Sequence, residues 1–212
     1  MKKYFFLLIS LFILLGSCVK KEPYLKLGLV ADPQYADKPT SGKRHYSETL
    51  WKLEEAIDTF NYYNIDFLQN LGDIIDVKWE SFDTVLPIYD KLKPGIKSHH
   101  LLGNHEFSID SAYFKGILER LSMPNYYYSY SKKGWRFIVL DATDYSYYSN
   151  ALHNHDIQKI DLYFEKIKGQ SNSYRWNSAI GSAQQKWLKQ ELDNAHLLGQ
   201  KVILFSHMPL RP

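Results

Sequence analysis

Phe67-Leu68-Gln69-Asn70-Leu71-Gly72-Asp73-Ile74-Ile75-Asp76 is the stretch that decides the fold. Phe67 to Leu71 is a short, mostly apolar run of strand length, and it stops at a glycine followed by two aspartates three positions apart. A polar cluster at a strand's carboxyl end is where open α/β sheets put their ligands. Working outward, Leu50, Leu53, Ile57 and Phe60 recur at helical spacing behind Ser47 as N-cap, which predicts an amphipathic helix from Ser47 to about Tyr63. Before it, Leu25 to Ala31 reads as a first strand ending in Asp32-Pro33-Gln34. After the central stretch, Ile96 to Leu102 reads as a third strand ending in Gly103-Asn104-His105-Glu106. Strands alternating with helices predict an α/β architecture.

Further along, Asp110 caps a predicted helix with Phe114, Ile117, Leu118 and Leu121 on its apolar face. Tyr126 to Tyr130 and Trp135 to Leu140 read as a hairpin around Ser131 to Gly134, which sets antiparallel strands beside the parallel ones. Residues from about 144 to 178 are polar, Tyr-rich and weakly periodic, and predict a surface insertion with one short helix near Ile157 to Lys168. Ser182 and Gln185 form a capping-box pattern for a helix that buries Leu188, Leu192 and Ala195 and ends near Gly199. Val202 to Phe205 is then a buried strand, followed by Ser206-His207-Met208-Pro209. His99 and His100 are read as strand or strand-entry residues.

At 212 residues the chain has room for one domain with a substantial core. Its 26 Lys plus Arg against 23 Asp plus Glu form no recurring basic block, so nucleic acid is set aside as a partner. The 17 tyrosines lack the interleaved cations of a single-strand binding groove and are read as core and half-buried aromatics.

The first eighteen residues are a targeting segment: Lys2 and Lys3 precede the apolar run Tyr4 to Leu15, which is too short to span a bilayer. Leu15-Gly16-Ser17-Cys18 is similar to the lipobox of bacterial lipoproteins, and Cys18 is the only cysteine. These features predict a signal peptide over 1–18, lipidation at Cys18, a short tether over 19–24 and a domain over 25–212. The expected location is the bacterial cell envelope, with a lipid anchor as the membrane partner.

The four strand-end clusters each gather oxygen or imidazole donors where apolar residues stop. Two-metal hydrolysis needs such a mixed set, with one carboxylate able to serve both ions and glycine nearby for close approach. Singly, Asp32 is equally a turn residue, Asp73 and Asp76 are capping carboxylates, Asn104 is a left-handed turn residue and His207 is a satisfied histidine. Together, in order and on successive strand ends, they point to metal chemistry. Asp141 and Asp144 suit either a place facing the site or a turn. His153 and His155 make an H-x-H pair and are read as solvent-exposed loop histidines.

In this order the motifs D-x-Q, G-D-x-x-D, G-N-H-E and a strand-end His resemble those of calcineurin-like metallophosphoesterases. Within them, Ala31 to Asp37, Asn70 to Asp76, Leu102 to Phe107, Gly134 to Phe137 running into Leu140-Asp141, and Ile180-Gly181 with Gln184-Gln185 and Trp187-Leu188 resemble the manganese-dependent ADP-ribose/CDP-alcohol diphosphatases. The resemblance covers nearly all of 25–212 and implies two mixed sheets packed between helices. It also implies two divalent ions, manganese first with magnesium, iron or zinc as alternatives, that activate water against a phosphoanhydride of a small nucleotide-type substrate. Position by position it implies Asp32 and Gln34 on the first ion, Asp73 bridging both, Asn104 and His207 on the second, and His105 as general acid or phosphate contact. Asp76 and Glu106 are expected to support these groups and not to ligate. The family's closing G-H-x-[HN] motif is not found before Pro212, so the chain is expected to be an incomplete member. Its rivals are a phosphodiesterase or phosphomonoesterase of the same superfamily and a non-catalytic envelope lipoprotein that keeps the fold.

Overall fold

The computed structural model describes residues 24–209. The expectations for the leader, for Cys18 and for all of the tether but Tyr24 lie outside the described residues, as do Leu210, Arg211 and Pro212.

Strands β1 (Leu27–Val30), β2 (Phe67–Asn70) and β3 (Lys97–His99) run parallel in the order β1-β2-β3. Val30 pairs with Asn70, so β1 and β2 end level. Backbone pairing then continues beyond both strands: Gln34 N donates to Asp73 O at 2.8 Å, Tyr35 N to Ile74 O at 3.0 Å, and Asp76 N to Tyr35 O at 3.0 Å. This extension carries the first two polar clusters side by side.

Helix α1 (Thr49–Tyr63) lays Leu53 and Ile57 on the sheet. It comes close over Gly28, where a Cβ would lie 2.9 Å from Ile65 Cδ1 and 3.1 Å from Phe60 Cδ1. Ser47 does not cap it: Ser47 sits within a 3-10 turn, Tyr46–Glu48, and Thr49 Oγ1 donates instead to Pro33 O at 2.5 Å. Helix α2 (Ser81–Tyr89) has no counterpart among the sequence expectations. Pro87 inside it reads as a breaker, yet burial of Phe82, Val85, Ile88 and Tyr89 carries the helix through.

Asp110 caps as expected, accepting from Ala112 N at 2.9 Å, but the segment behind it is a 3-10 stretch leading into the single turn α3 (Ile117–Arg120). The hairpin β4 (Tyr128–Lys132) and β5 (Trp135–Val139) turns on Lys133 and Gly134 alone, with φ of 50° and 78°. Left-handed values at both positions match the right-handed twist of the strands, so the turn is tighter than the four-residue loop expected. Strand β6 (Lys201–Phe205) adds parallel to β5. The two sheets face each other: the Phe67 ring on β2 lies 4.7 Å from Phe137 on β5 and 5.5 Å from Tyr130 on β4. Each such buried ring stabilises the sandwich by roughly 2 to 3 kcal/mol.

The segment after β5 is closed by pairing of Tyr145 with Ala179 and holds α4 (Asn150–His153) and α5 (Ile157–Lys166). It is not all surface. Asp144, Ser146, Ser149 and Asn177 are buried. Helix α6 (Ser182–Leu197) begins one residue off the expected register. Gly181 is its N-cap, so Ser182 lies inside the first turn and Gln185 reaches Ile180 O rather than closing a capping box. Its buried positions are Gln184 and Ala195, and Leu192 faces outward.

Candidate metal centre

Asp73 lies at the centre of the site, buried and with a φ of 54°. Asp32 and Gln34 on the neighbouring loop also carry positive φ, 51° and 47°. Three non-glycine residues in the left-handed region within one pair of strand ends is strain that the surrounding structure must hold. Glu106 does much of the holding. Fully buried, it accepts from Asp73 N at 2.9 Å, Ile74 N at 2.6 Å and Gly103 N at 2.8 Å, tying the loops after β2 and β3 together. Burial, then Asp73, push its carboxyl up to about 7, although the three N–H groups pull the other way.

Around the Asp73 carboxylate the donors converge. Oδ2 accepts from Gln34 Nε2 at 3.1 Å and lies 3.5 Å from His207 Nε2, and Oδ1 accepts from His105 N at 2.9 Å. Asp32, Asp73 and His207 each offer a ligand atom within 4.8 Å of the others. His207 Nδ1 donates to Leu71 O at 2.7 Å. A carbonyl can only accept, so the Nε2 that faces Asp73 is the nitrogen left for a ligand, the arrangement that metal-bound histidines use. Burial disfavours a charged His207, yet the Asp73 carboxylate raises it to about 9; Asp73, which burial would raise, is held below its ordinary range by His207 and His105. Gly103 is packed into this corner, where a Cβ would run into Asp73 Oδ1 and approach His207 Cε1 to 2.7 Å. Asn104 follows it, half-buried, at the start of the 3-10 turn His105–Phe107.

His105 presents Nε2 toward the carboxylate, 3.9 Å from Asp73 Oδ2, while its Nδ1 abuts Asp76 Oδ1. Lys38 Nζ pairs with the other oxygen of Asp76. Asp76 therefore backs His105 and does not reach into the donor set. Beside Asp32 and Gln34 opens a cavity of about 370 Å³ lined also by Lys43, Arg44, His45 and Lys52.

Residues 25–211 match the family model described as calcineurin-like phosphoesterase. The chain belongs to the calcineurin-like phosphoesterase family. A relative named manganese-dependent ADP-ribose/CDP-alcohol diphosphatase from Oryza sativa subsp. japonica is 30% identical over 91% of this chain and 68% of its own length. One of the same name from Danio rerio is 25% identical over 91% of this chain and 72% of its own. In fold, the chain is similar to a crystal structure described as a dimetal phosphatase from Danio rerio, with a TM-score of 0.78 and 24% identity over 90% of this chain and 71% of that one.

As a calcineurin-like phosphoesterase the chain is a hydrolase of phosphate bonds, and its donor set fits divalent cations. Gln34 now turns its amide N–H₂ toward Asp32 Oδ1 at 3.5 Å and Asp73 Oδ2 at 3.1 Å. The –NH₂ thus stands in for positive charge between two carboxylates, and rotation about the last side-chain bond would present Oε1 instead. In this phosphoesterase the structure brings Asp32, Gln34, Asp73, His105 and His207 together, places Asn104 beside them at the start of the 3-10 turn, and sets Asp76 and Glu106 behind them. Tyr35 and Tyr46 are both buried; Tyr46 packs under Lys38 Nζ at 3.9 Å and forms part of the cavity lining.

The reading of His153 and His155 as solvent-exposed is overturned. His153 Nε2 lies 3.2 Å from Asp141 Oδ2 with its side chain 11% exposed, and His155 Nε2 lies 2.6 Å from Asp144 Oδ1. The single turn α4 and the left-handed Asn154 that ends it fold the pair inward. Sequence reasoning also missed Lys38 behind Asp76 and Gln184, whose amide meets Asp141 N, Asp141 O and Asp144 Oδ2. Gln184 stands four positions before Leu188, one turn back along the expected buried face of its helix, where a polar side chain gives no apolar signal.

Proposed function

We propose that this phosphoesterase hydrolyses the phosphoanhydride of nucleoside-diphosphate compounds, of the ADP-ribose or CDP-alcohol kind, with two divalent ions, manganese first. Asp32, Gln34 and Asp73 would hold one ion, and Asp73, Asn104 and His207 the other. The observation that carries this reading is Asp73, whose Oδ2 faces His207 on one side and Gln34 on the other, with Gln34 and Asp32 in turn lining a cavity that carries Lys43, Arg44 and Lys52. The names of the relatives support the substrate class.

When bound, the ions supply Lewis acidity and a reactive water at neutral pH. The chain's own groups do the rest. Lys43, Arg44 and Lys52 beside Asp32 give the diphosphate a basic wall, worth most where the cavity excludes water. His105 is placed to deliver a proton to the leaving phosphate through Nε2, and Asp76 behind Nδ1 fixes the ring's orientation. Glu106 holds Asp73 and Gly103 in register, so the donors are set before substrate arrives.

The lipobox-like Leu15-Gly16-Ser17-Cys18 supports a lipid-anchored protein of the bacterial cell envelope. Fatty-acid labelling of the parent and of Cys18→Ala tests that part: equal labelling of both would remove it. For the activity, the chain is incubated with ADP-ribose, CDP-choline, a phosphodiester and a phosphomonoester, with and without manganese. The reading expects manganese-dependent release of nucleoside monophosphate from the first two in preference to the esters, and faster cleavage of the esters would overturn the substrate class.

A further inference from the structure

We propose that Asp144, His153 and His155 bind a third divalent ion of the zinc class, at a site that shares no residue with the Asp73 centre. Each residue offers a ligand atom within 4.8 Å of the other two. Two bonds of about 2.0 to 2.1 Å at a tetrahedral angle set ligand atoms about 3.3 Å apart, so small side-chain movements close this group on an ion. His155 Nε2 and Asp144 Oδ1, now 2.6 Å apart, need only part slightly.

His153 Nε2 points to the same conclusion independently. It is buried and has no hydrogen-bond partner among the described residues, although Asp141 Oδ2 lies 3.2 Å away outside bonding geometry. A buried ring nitrogen left without a partner has lost its water and gained no bond in return, and a cation would satisfy it. The surroundings are built as metal sites are. Asp144 Oδ2 is fixed by Gly181 N at 2.8 Å and Gln184 Nε2 at 3.2 Å, which leaves Oδ1 as the ligand oxygen. The two imidazoles lie nearly parallel, 17° apart with centroids 5.8 Å apart, braced by Tyr126 against His153 and Tyr145 against His155.

Two imidazoles and one carboxylate suit zinc or cobalt better than manganese or magnesium, which favour oxygen. The ion would clasp the loop after β5 to the turn of α4, and Asp141 or water would complete the shell. This inference does not depend on the proposed substrate.

Cobalt tests it with a readout independent of turnover. The Asp32→Asn/Asp73→Asn variant removes the first centre. Titrated with Co²⁺, it should take up one ion per chain, with the visible absorption of a tetrahedral site. Adding His155→Asn should weaken binding by more than the roughly 10- to 100-fold typical of supporting groups. In the parent background, His155→Asn should lower bound metal by one ion per chain, a comparison that stands even if the double variant folds poorly. His153→Asn should act alike. Uptake of no ion by a folded Asp32→Asn/Asp73→Asn chain, or an unchanged ion count after His155→Asn in the parent, overturns the proposal.

Discussion

His207 Nδ1 donates to the carbonyl oxygen of Leu71 over 2.7 Å, so a residue just beyond β6 in one sheet is fastened to a residue just beyond β2 in the other. The bond fixes the histidine's tautomer and brings its Nε2 to 3.5 Å from Asp73 Oδ2. The metal centre is therefore built across the seam between the sheets.

From this follows an expectation for His207→Gln. The amide is shorter and cannot hold both the Leu71 bond and the position of Nε2. Manganese affinity measured by calorimetric titration should fall by more than about 10- to 100-fold. Because the imidazole binds a proton up to about 9, ion binding in the parent should release protons at pH 8 and tighten as pH rises toward 9. Affinity that is flat with pH and equal in the two proteins would contradict this.

Asp76→Asn separates positioning from binding. Asp76 meets His105 Nδ1 and Lys38 but no donor of the metal centre. The expected outcome is a kcat about 10- to 100-fold lower with KM and manganese affinity little changed. A loss of metal binding of the same size would place Asp76 among the ligands instead.

Much of this was legible in the sequence, and what was not has physical reasons. Asp73, His105 and Glu106 announced themselves because apolar runs stop at them and glycine stands beside them. The partnership of Asp76 with Lys38 was hidden, since those residues are 38 positions apart and meet only because the loop pairing of Tyr35 with Ile75 draws them together. Helix α2 was concealed by Pro87, where burial outweighs local propensity. His153 and His155 looked exposed because a polar, Tyr-rich segment reads as surface, yet Asp144 and Gln184 beneath it supply buried polar partners that no period reveals.

Stability should depend on pH through His100, which directly follows β3 and is buried with its ring edge-on to Tyr89 at 5.1 Å. Burial, then His99, hold its imidazole down to about 4 from an ordinary 6.5. Below pH 6.5 the unfolded chain takes up a proton that the folded chain refuses until about pH 4. The histidine's effect is therefore nil above pH 6.5 and destabilising as pH falls, by about 2 kcal/mol at pH 5. Glu106 and Asp141, both raised to about 7 chiefly by burial, slope the other way, but they cancel when the parent is compared with His100→Phe. Urea unfolding at pH 7.5 and pH 5 should show the difference between the two proteins shift by that amount in favour of the variant at pH 5, and a constant difference would contradict the burial argument.

The central claim is that one carboxylate, Asp73, organises both ions, and manganese-dependent hydrolysis of ADP-ribose by Asp73→Asn tests it most directly. An amide keeps the size of the side chain but cannot bridge two cations with charge. With the fold verified by its unfolding transition, turnover is expected to fall by two or more orders of magnitude at saturating manganese. Retention of more than about a tenth of the parent rate would contradict the account.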